Sequence, residues 1–345
     1  MPELPPRNDA VAPTLDEVAA AAGVSRSTAS RALNGGLRVS PAAQAAVDDA
    51  ARLLGYVPNR AARSLVTRRT DSIALVVPEP DEHLLSDAFI GGTLRGVGDA
   101  LARTDLQLVL LLARAGEPSD RIARYLRGGH VDGAVITSHH EGDDLERVVA
   151  ASSIPAVFVG RPFAAPRELI YTDVDNVAGA RLAVDHLVAG GRRRIAHIAG
   201  PQDMTAGVDR LAGWRGALAD LGLPAGALVH AQFTAASGEE AATALLAAHP
   251  DVDAIVAASD TIAVGALRAL ARAGRAVPGD VAVVGYDDLG AAEASTPPLT
   301  TLRNPVVELA STAVAQLLRL VEAAPGDAPV TSVVFPPRLV VRGTT

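Results

Sequence analysis

The stretch TLDEVAAAAGVSRSTASRALN, Thr14 to Asn34, organises everything around it. Thr14 and Glu17 stand three apart, the spacing of a capping box, in which hydroxyl and carboxylate satisfy each other's free N–H groups at a helix start. Leu15, Val18, Ala19 and Ala22 recur at helical spacing and predict a short helix with one apolar stripe. Gly23 breaks that helix and supplies the positive φ that a tight turn needs. Ser25 then caps a second helix, which carries Arg26, Ser27, Thr28, Ser30 and Arg31 outward and turns Val24, Ala29 and Leu33 inward. Two helices joined by a glycine turn, the second with a polar face, make a helix-turn-helix.

Moving outward, Ser40-Pro41 is a cap followed by proline at the first helical position. The helix it starts runs through Val47, Ala50, Ala51 and Leu54 to Gly55 and closes an all-α, three-helix head. In GYVPNRAARSLVTRRT, Gly55 to Thr70, Asn59 can cap a short helix holding Arg60, Ala62, Arg63 and Leu65. After Thr67 the apolar periodicity ends and a linker is expected. Upstream, residues 1–13 read as a disordered tail. The first 20 residues contain Pro, Asp, Glu and Asn without an apolar segment, so neither a signal peptide nor a membrane anchor is expected.

From Ser72 the pattern changes to strands alternating with helices. SIALVVPE (72–79), LQLVLLLAR (106–114), VDGAVITS (131–138) and IPAVFVGR (154–161) are apolar runs of the buried parallel type. A second series follows Tyr171. It holds helices over Val177–Gly190, Arg210–Leu221, Gly238–Ala248 and up to Arg272, with strands at 194–201, 228–233, 252–259 and 281–288. Such alternation implies crossover units and parallel sheets. The expectation is therefore an α/β core of two doubly wound lobes, with a ligand site at the carboxyl ends of the strands between them. The predicted boundaries are a head at 14–57, hinge and linker at 58–71, and a core at 72–345. Within the core, the N-lobe is placed at about 72–171 plus 299–327 and the C-lobe at about 172–298 plus 328–345. A last helix over Pro305–Glu322 and the run SVVFPPRLVV (332–341) should carry the chain back across the waist.

Composition and charge narrow the function classes. The chain has 345 residues, no cysteine, and 49 % hydrophobic against 3 % aromatic residues. Disulfides and thiolate metal sites are excluded, which suits a reducing cytoplasm. All 31 basic residues are arginine. Residues 1–70 hold nine arginines against six acids, a formal charge of +3; with −8 for the whole chain, residues 71–345 carry −11. A basic head on an acidic body fits phosphate contact by the head alone.

These features together resemble the lactose-repressor (LacI/GalR) family of bacterial transcription regulators, over essentially all of residues 14 to 342. The motifs are TLDEVAAAAGVS…TASRALN, the GYVPNRAARSL hinge, AGP (199–201), RLAGWRGAL (210–218), ASDTIAVGALRAL (258–270), VVGYDD (283–288) and PPLTTLR (297–303). The core is then similar to periplasmic binding proteins. The resemblance implies that the start of the second helix enters the major groove, with Arg26, Ser27 and Arg31 at base-reading positions. Ser25, Thr28, Ser30 and Asn34 match phosphate-contacting ones, and Asn59 joins the DNA-binding set from the hinge. Ala29 departs from the valine usual there, a change in packing rather than in contact. Leu65 matches the hinge leucine that, paired across a dimer, wedges into the minor groove and kinks the duplex.

The resemblance also implies an effector cleft. Arg210 and Asp287 match residues that hydrogen-bond a bound sugar or base, Ser259 takes a position often held by Asn, and Asp260 follows it. Phe233 matches a stacking aromatic, while Phe89 and Arg161 stand near strand ends that face the cleft. Phe89 and Phe233 could instead belong to the core, and Asp260 could cap a helix. The loops Glu79–Asp87 and Gly200–Asp209 are expected to shape the pocket. No metal, cofactor or catalytic triad is expected. His139-His140-Glu141 reads as a solvated loop, and the glycines of GGTLRGVG (91–98) as helix-packing residues rather than a phosphate loop. The chain is expected to act in the cytoplasm as a homodimeric, sugar-responsive repressor on a pseudo-palindromic operator of double-stranded DNA. A purine is the lesser effector option. No membrane partner is expected, and without a heptad tail after the final strand a coiled-coil tetramer is not expected either. The alternative, a solute-binding protein of a transport system, leaves the Thr14–Leu65 head without a role.

Overall fold

The computed structural model describes residues 13–33, 39–57, 69–78, 87–112, 120–142, 144–152, 154–163 and 169–345. Expectations for the tail at 1–12, for Asn34, for the hinge with Asn59 and Leu65, and for most of the 79–87 loop lie outside the described residues. The chain divides into two compact units, Met1–Thr70 and Asp71–Thr345.

The first unit holds α1 (Leu15–Ala21), α2 (Arg26–Leu33) and α3 (Pro41–Leu54). The capping box forms in both directions: Glu17 N–H donates to Thr14 Oγ1 (3.3 Å) and Thr14 N–H to Glu17 Oε2 (2.7 Å). Gly23 takes φ +65° in the turn, and Ser25 Oγ accepts from Thr28 N–H (3.2 Å) to start α2. Ser40 caps α3, which ends on left-handed Gly55, where Tyr56 N–H returns to the Ala51 carbonyl. Val18, Ala29 and Val47 are fully buried at the centre. Small side chains there bring the three helices close, and Gln44 Nε2 donates to the Ala32 carbonyl to tie α3 to α2.

In the second unit the first lobe contributes β1 (Ser72–Val77), α4 (Ala88–Leu101), β2 (Gln107–Leu112), α5 (Asp120–Arg127), β3 (Gly133–Thr137), α6 (Leu145–Ala150), β4 (Ala156–Val159) and β5 (Ile170–Val174). The second lobe contributes α7 (Asn176–Ala189), β6 (Ile195–Ala199), α8 (Thr205–Asp220), β7 (Leu228–His230), α9 (Ala235–Ala248), β8 (Ala254–Ala257), α10 (Asp260–Arg272), β9 (Ala282–Asp287), α11 (Ala291–Ala294) and β10 (Thr300–Arg303). The chain then returns through α12 (Val306–Glu322) and β11 (Val333–Phe335) to β12 (Arg338–Val340). Strand order is β11-β5-β4-β3-β1-β2 in one sheet and β12-β10-β9-β8-β6-β7 in the other. Pairing is parallel except between β10 and β12. The continuous apolar runs β1, β3, β4, β6 and β8 are the sheet centres, buried on both faces.

The lobe boundaries differ from those expected at two strands. Ile170–Val174 belongs to the first sheet, so the first crossing falls at Asp175 rather than near 171. Thr300–Arg303 belongs to the second sheet, so the return starts after Arg303 rather than at 299. Both strands are polar, IYTDV and TTLR, and carry no apolar run to announce them. Their burial is made possible by side-chain bonds: Thr301 Oγ1 donates to Asp260 Oδ1 and Arg342 N–H to Thr300 Oγ1. The run at 332–341 splits at Pro336-Pro337 into one strand for each sheet, giving three crossings of the waist in all.

Helix α12 lays Leu309, Ala310, Ala313, Val314 and Leu317 into the core of the first lobe. It lies against α4 so closely that a Cβ at Gly96 would sit 2.4 Å from the Val307 carbonyl oxygen. The glycines of GGTLRGVG thus include one that sets a helix–helix distance.

Candidate functional site

On the head, α2 presents Ser25, Arg26, Ser27 and Arg31 to solvent, with Thr28 and Ser30 half-buried. Arg26 Nε pairs with Asp16 at 3.3 Å, and both side chains are about 70 % exposed. Such an exposed pair contributes roughly 0–1 kcal/mol, so Arg26 can exchange its carboxylate for a stronger acceptor at little cost. Arg31 Nε donates to the Ser27 carbonyl (3.1 Å), leaving the rest of its fork outward. Ser25 Oγ lies 3.0 Å from Ser27 Oγ and 2.9 Å from Thr28 Oγ1, a hydroxyl cluster at the helix start. Hydroxyls and N–H groups at a helix start suit phosphate oxygens.

In the second unit a cavity of about 60 Å³ lies at the carboxyl ends of the strands, lined from both lobes. The first lobe supplies Phe89, Ser138, His139, Gly160 and Asp173; the second supplies Asn176, Met204, Thr205, Ala206 and Arg210; the return supplies Asn304 and Leu309. Arg210 is the centre of the polar wall and is only 4 % exposed. Its Nε donates to Asn176 Oδ1 (2.9 Å), Nη1 to the Ala258 carbonyl (2.5 Å) and Nη2 to Asp287 Oδ1 (3.2 Å). Its guanidinium lies 3.6 Å over the Tyr286 ring, a cation–π contact that is stronger for being desolvated. Asp287 also accepts from Asn304 Nδ2 (3.2 Å). Burial pushes the Asp287 carboxyl up, opposed by Arg210 and Asn304.

Asp173 anchors the first-lobe side. Its Oδ1 accepts from Val174 N–H and Asn176 Nδ2, and its Oδ2 from Arg161 N–H. One chain of bonds therefore runs Asp173–Asn176–Arg210–Asp287–Asn304 and joins the first two segments that cross the waist. Non-glycine residues with positive φ stand at the strand ends beside it: Ser138 at +50°, Asp287 at +114° and Asp288 at +56°. Strained backbone of this kind persists where surrounding bonds over-determine it.

Of the expected effector residues, Phe89 and Arg210 line the cavity, and the others stand behind or beside it. Asp287 supports Arg210 from behind. Arg161 Nη2 is held by both oxygens of Asp209 at 2.7 Å, and Thr205 Oγ1 donates to the Arg161 carbonyl (2.6 Å). Arg161 thus ties the first lobe to the 203–209 segment. That segment also meets His140, whose Nδ1 lies 2.9 Å from Asp203 Oδ2, and Glu141, whose N–H donates to the Asp203 carbonyl. Phe233 packs on the core of the second lobe and over Gly200, where a Cβ would lie 2.6 Å from the ring. Ser259 caps α10 through Ile262 N–H. Asp260 clips that helix to β10 and to the loop after β9, accepting from Thr301 Oγ1 (2.5 Å) and Asp288 N–H (2.7 Å).

Sequence reasoning missed Asp173, Asn176 and Asn304, which lie on or beside the two polar strands it did not find. The flagged 200–209 loop does supply Met204, Thr205 and Ala206 to the wall. His139 is a correction: only 5 % exposed, it lines the cavity, whereas a solvated loop was expected. The apolar β3 carries it inward against Phe158, edge to face at 5.1 Å. Among the described residues no group of three or more His, Asp or Glu could hold a metal ion. No described helix is long and apolar enough to cross a membrane.

Burial, with Asp287 and Asp288 nearby, pushes the Asp260 carboxyl up to about 7, and burial pushes that of Asp173 to about 6. A folded pKa above the unfolded value means that folding favours the protonated form. The stabilisation is fully present below about pH 4 and is lost as pH rises through 6 to 7. The Asp260 contribution to stability in urea should therefore fall between about pH 4 and 7, against the opposite trend from the buried imidazoles of His139 and His197, which burial holds down at about 4. Asp260→Asn should flatten that fall by up to about 1.4 kcal/mol per pH unit; an unchanged slope would remove Asp260 as its source.

Comparison with known proteins follows the same division. Residues 14–59 match the family described as bacterial regulatory proteins, lacI family, and residues 184–345 match a periplasmic binding protein-like domain. The HTH-type transcriptional regulator CelR of Thermobifida fusca is 48 % identical over 309 residues, covering 89 % of this chain and 91 % of the relative. The ribose operon repressor of Halalkalibacterium halodurans is 32 % identical over 339 residues, covering 96 % and 97 %. Among solved structures, a transcriptional regulator CelR–cellobiose complex is 42 % identical with a TM-score of 0.76, covering 96 % of this chain and all of that one. The lac repressor dimer bound to operator and the anti-inducer ONPF is 29 % identical with a TM-score of 0.85, covering 96 % and 98 %.

Proposed function

The chain belongs to the LacI family of bacterial regulatory proteins, and on that premise we propose that it represses transcription as a homodimer on a pseudo-palindromic operator, under control of a sugar held between the core lobes. It is a DNA-binding transcription regulator and not an enzyme, with a lac repressor-like fold. The reading is carried by one observation: an exposed Arg/Ser face on α2, precisely capped at Ser25, in the same chain as a two-lobed cavity with a buried arginine in its wall.

Arg26, Ser27 and Arg31 are the proposed base readers, because arginine can fork onto both acceptors of guanine. Ser25, Thr28, Ser30 and Asn34 are the proposed phosphate contacts, with Asn59 in the DNA-binding set from the hinge and Leu65 the minor-groove wedge. A sugar is favoured over a purine because a relative of 42 % identity is seen with cellobiose. The polar wall suits hydroxyls, since Arg210, Asn176 and Asn304 offer converging donors and acceptors. Occupancy of the cleft changes how the lobes close, which sets whether two hinges can pair on one duplex. A protein that reads the chromosome in this way acts in the cytoplasm.

The experiment is selection from random DNA with purified protein. Wild type should enrich one inverted-repeat sequence. Arg26→Ala should relax preference at one position in each half-site, a loss of about 1–3 kcal/mol there. An unchanged profile would take Arg26 out of the groove, and no enrichment by wild type would remove the regulator reading.

A further inference from the structure

Four contacts run from the first lobe to the 203–209 segment of the second. Arg161 Nη2 lies 2.7 Å from both oxygens of Asp209, and the Arg161 carbonyl accepts from Thr205 Oγ1 (2.6 Å). His140 Nδ1 stands 2.9 Å from Asp203 Oδ2, and Glu141 N–H donates to the Asp203 carbonyl (2.9 Å). The first-lobe partners come from two separate turns, one after β3 and one after β4, so the start of α8 is gripped at two points. Apart from Thr205, none of these residues lines the cavity.

The second lobe commits its helix start to these contacts. Met204, at the N-cap of α8, makes no side-chain cap bond. By contrast, Asp87, Asp175, Thr234 and Ser259 cap α4, α7, α9 and α10 with their side chains. The polar neighbours of Met204, Asp203 and Thr205, reach across to the other lobe instead. Forgoing a cap weakens a helix start, and the cross-lobe contacts offset that loss only while the lobes are together.

We propose that the Arg161–Asp209 and His140–Asp203 pairs form an interlobe latch, two grips that open as one unit and bias the core toward the closed arrangement. The Arg161 and Asp209 side chains are 32 % and 19 % exposed, so water and salt screen this pair less than the surface pair of Arg26 and Asp16. The grips are coupled through α8. Asp203 stands just before that helix and Asp209 in its second turn, so a tilt of the helix that breaks one grip disturbs the other. A bias toward closure also favours any ligand that binds the closed cleft, because less of the binding free energy goes into moving the lobes. The latch concerns lobe motion and goes beyond the sugar-effector reading, whatever ligand the wall takes.

The Glu141 amide is the reporter, because its bond to the Asp203 carbonyl belongs to the grip that Arg161 and Asp209 do not touch. Amide hydrogen exchange is measured on the full chain without sugar, as wild type, Asp209→Ala and Arg161→Gln. The amides of β1 and β6 report that both lobes stay folded. Breaking the ion pair should speed exchange at Glu141 at least about tenfold in both variants. Glu141 exchange within about twofold of wild type in either folded variant would overturn the latch, since the grips would then open independently. Should Asp209→Ala fail to fold, Arg161→Gln decides alone.

Calorimetric titration with cellobiose tests the effect on binding. Asp209→Ala, outside the cavity wall, should weaken cellobiose binding at least about threefold. Wild-type affinity in a variant whose Glu141 amide exchanges fast would overturn the closure bias as an aid to binding. A wild type that binds no cellobiose would count against the sugar-effector reading, and the exchange measurement would still decide the latch.

Discussion

Arg210→Ala is expected to lower the unfolding free energy of the core by about 3–5 kcal/mol and to abolish the effector response. The size follows from what stays behind. Asp287 would keep a buried carboxylate with only Asn304 to pair it, while Asn176 Oδ1 and the Ala258 carbonyl would each lose a donor. The Tyr286 ring would also lose its cation. Arg210→Lys should recover little, because one ammonium cannot reach three acceptors in a plane while stacking on a ring. Urea denaturation followed by circular dichroism measures the loss. A midpoint corresponding to less than about 1 kcal/mol would mean that the chain of bonds through the waist is not a stabilising unit.

The second large effect is expected at the proposed hinge wedge. Leu65→Ala should weaken operator binding at least about tenfold while leaving binding to random duplex nearly unchanged. Wedging a leucine into a base step costs a few kcal/mol of unstacking and is offset by contacts that only the bent operator provides. Removing the wedge forfeits those contacts without touching the phosphate contacts that dominate non-specific binding. A gel-shift titration at fixed salt, against operator and random duplex of equal length, measures the ratio. Equal losses on the two duplexes would take Leu65 out of the minor groove.

How far the sequence was legible depended on what each element shows on its face. In the head, Thr14, Glu17, Gly23, Ser25, Ser40 and Gly55 each act within a few residues of themselves, so spacing alone located three helices and their caps. In the core, β1, β3, β4, β6 and β8 are continuous apolar runs and were equally plain. The strands β5 and β10 were not. IYTDV and TTLR bury Thr172, Asp173, Thr300 and Thr301 by pairing them with partners up to 137 residues away, such as the Leu309 carbonyl for Thr172. No local pattern records a partner that distant.

The cleft follows the same rule. Arg210 was legible because RLAGW is a distinctive motif, and two of its acceptors, the Ala258 carbonyl and Asp287, end strands that were expected; the third, Asn176, stands beside β5, which was not. Arg161 stands at a strand end, where a ligand contact was expected, and its Nη2 is held by both oxygens of Asp209 from the facing lobe. Charge complementarity across a cleft depends on how the lobes close, which single-sequence reasoning does not reach. His139 was set aside because acids follow it at once, although the apolar strand before it carries it inside.

The central claim is that occupancy of the cleft controls grip on DNA. It is tested most directly by fluorescence anisotropy of labelled operator with purified wild-type protein, titrated with and without a saturating sugar that calorimetry shows to bind. The account predicts that the sugar shifts operator affinity at least about tenfold, a coupling of about 1.4 kcal/mol, and leaves affinity for random duplex unmoved. An operator isotherm that superimposes with and without bound sugar would contradict it.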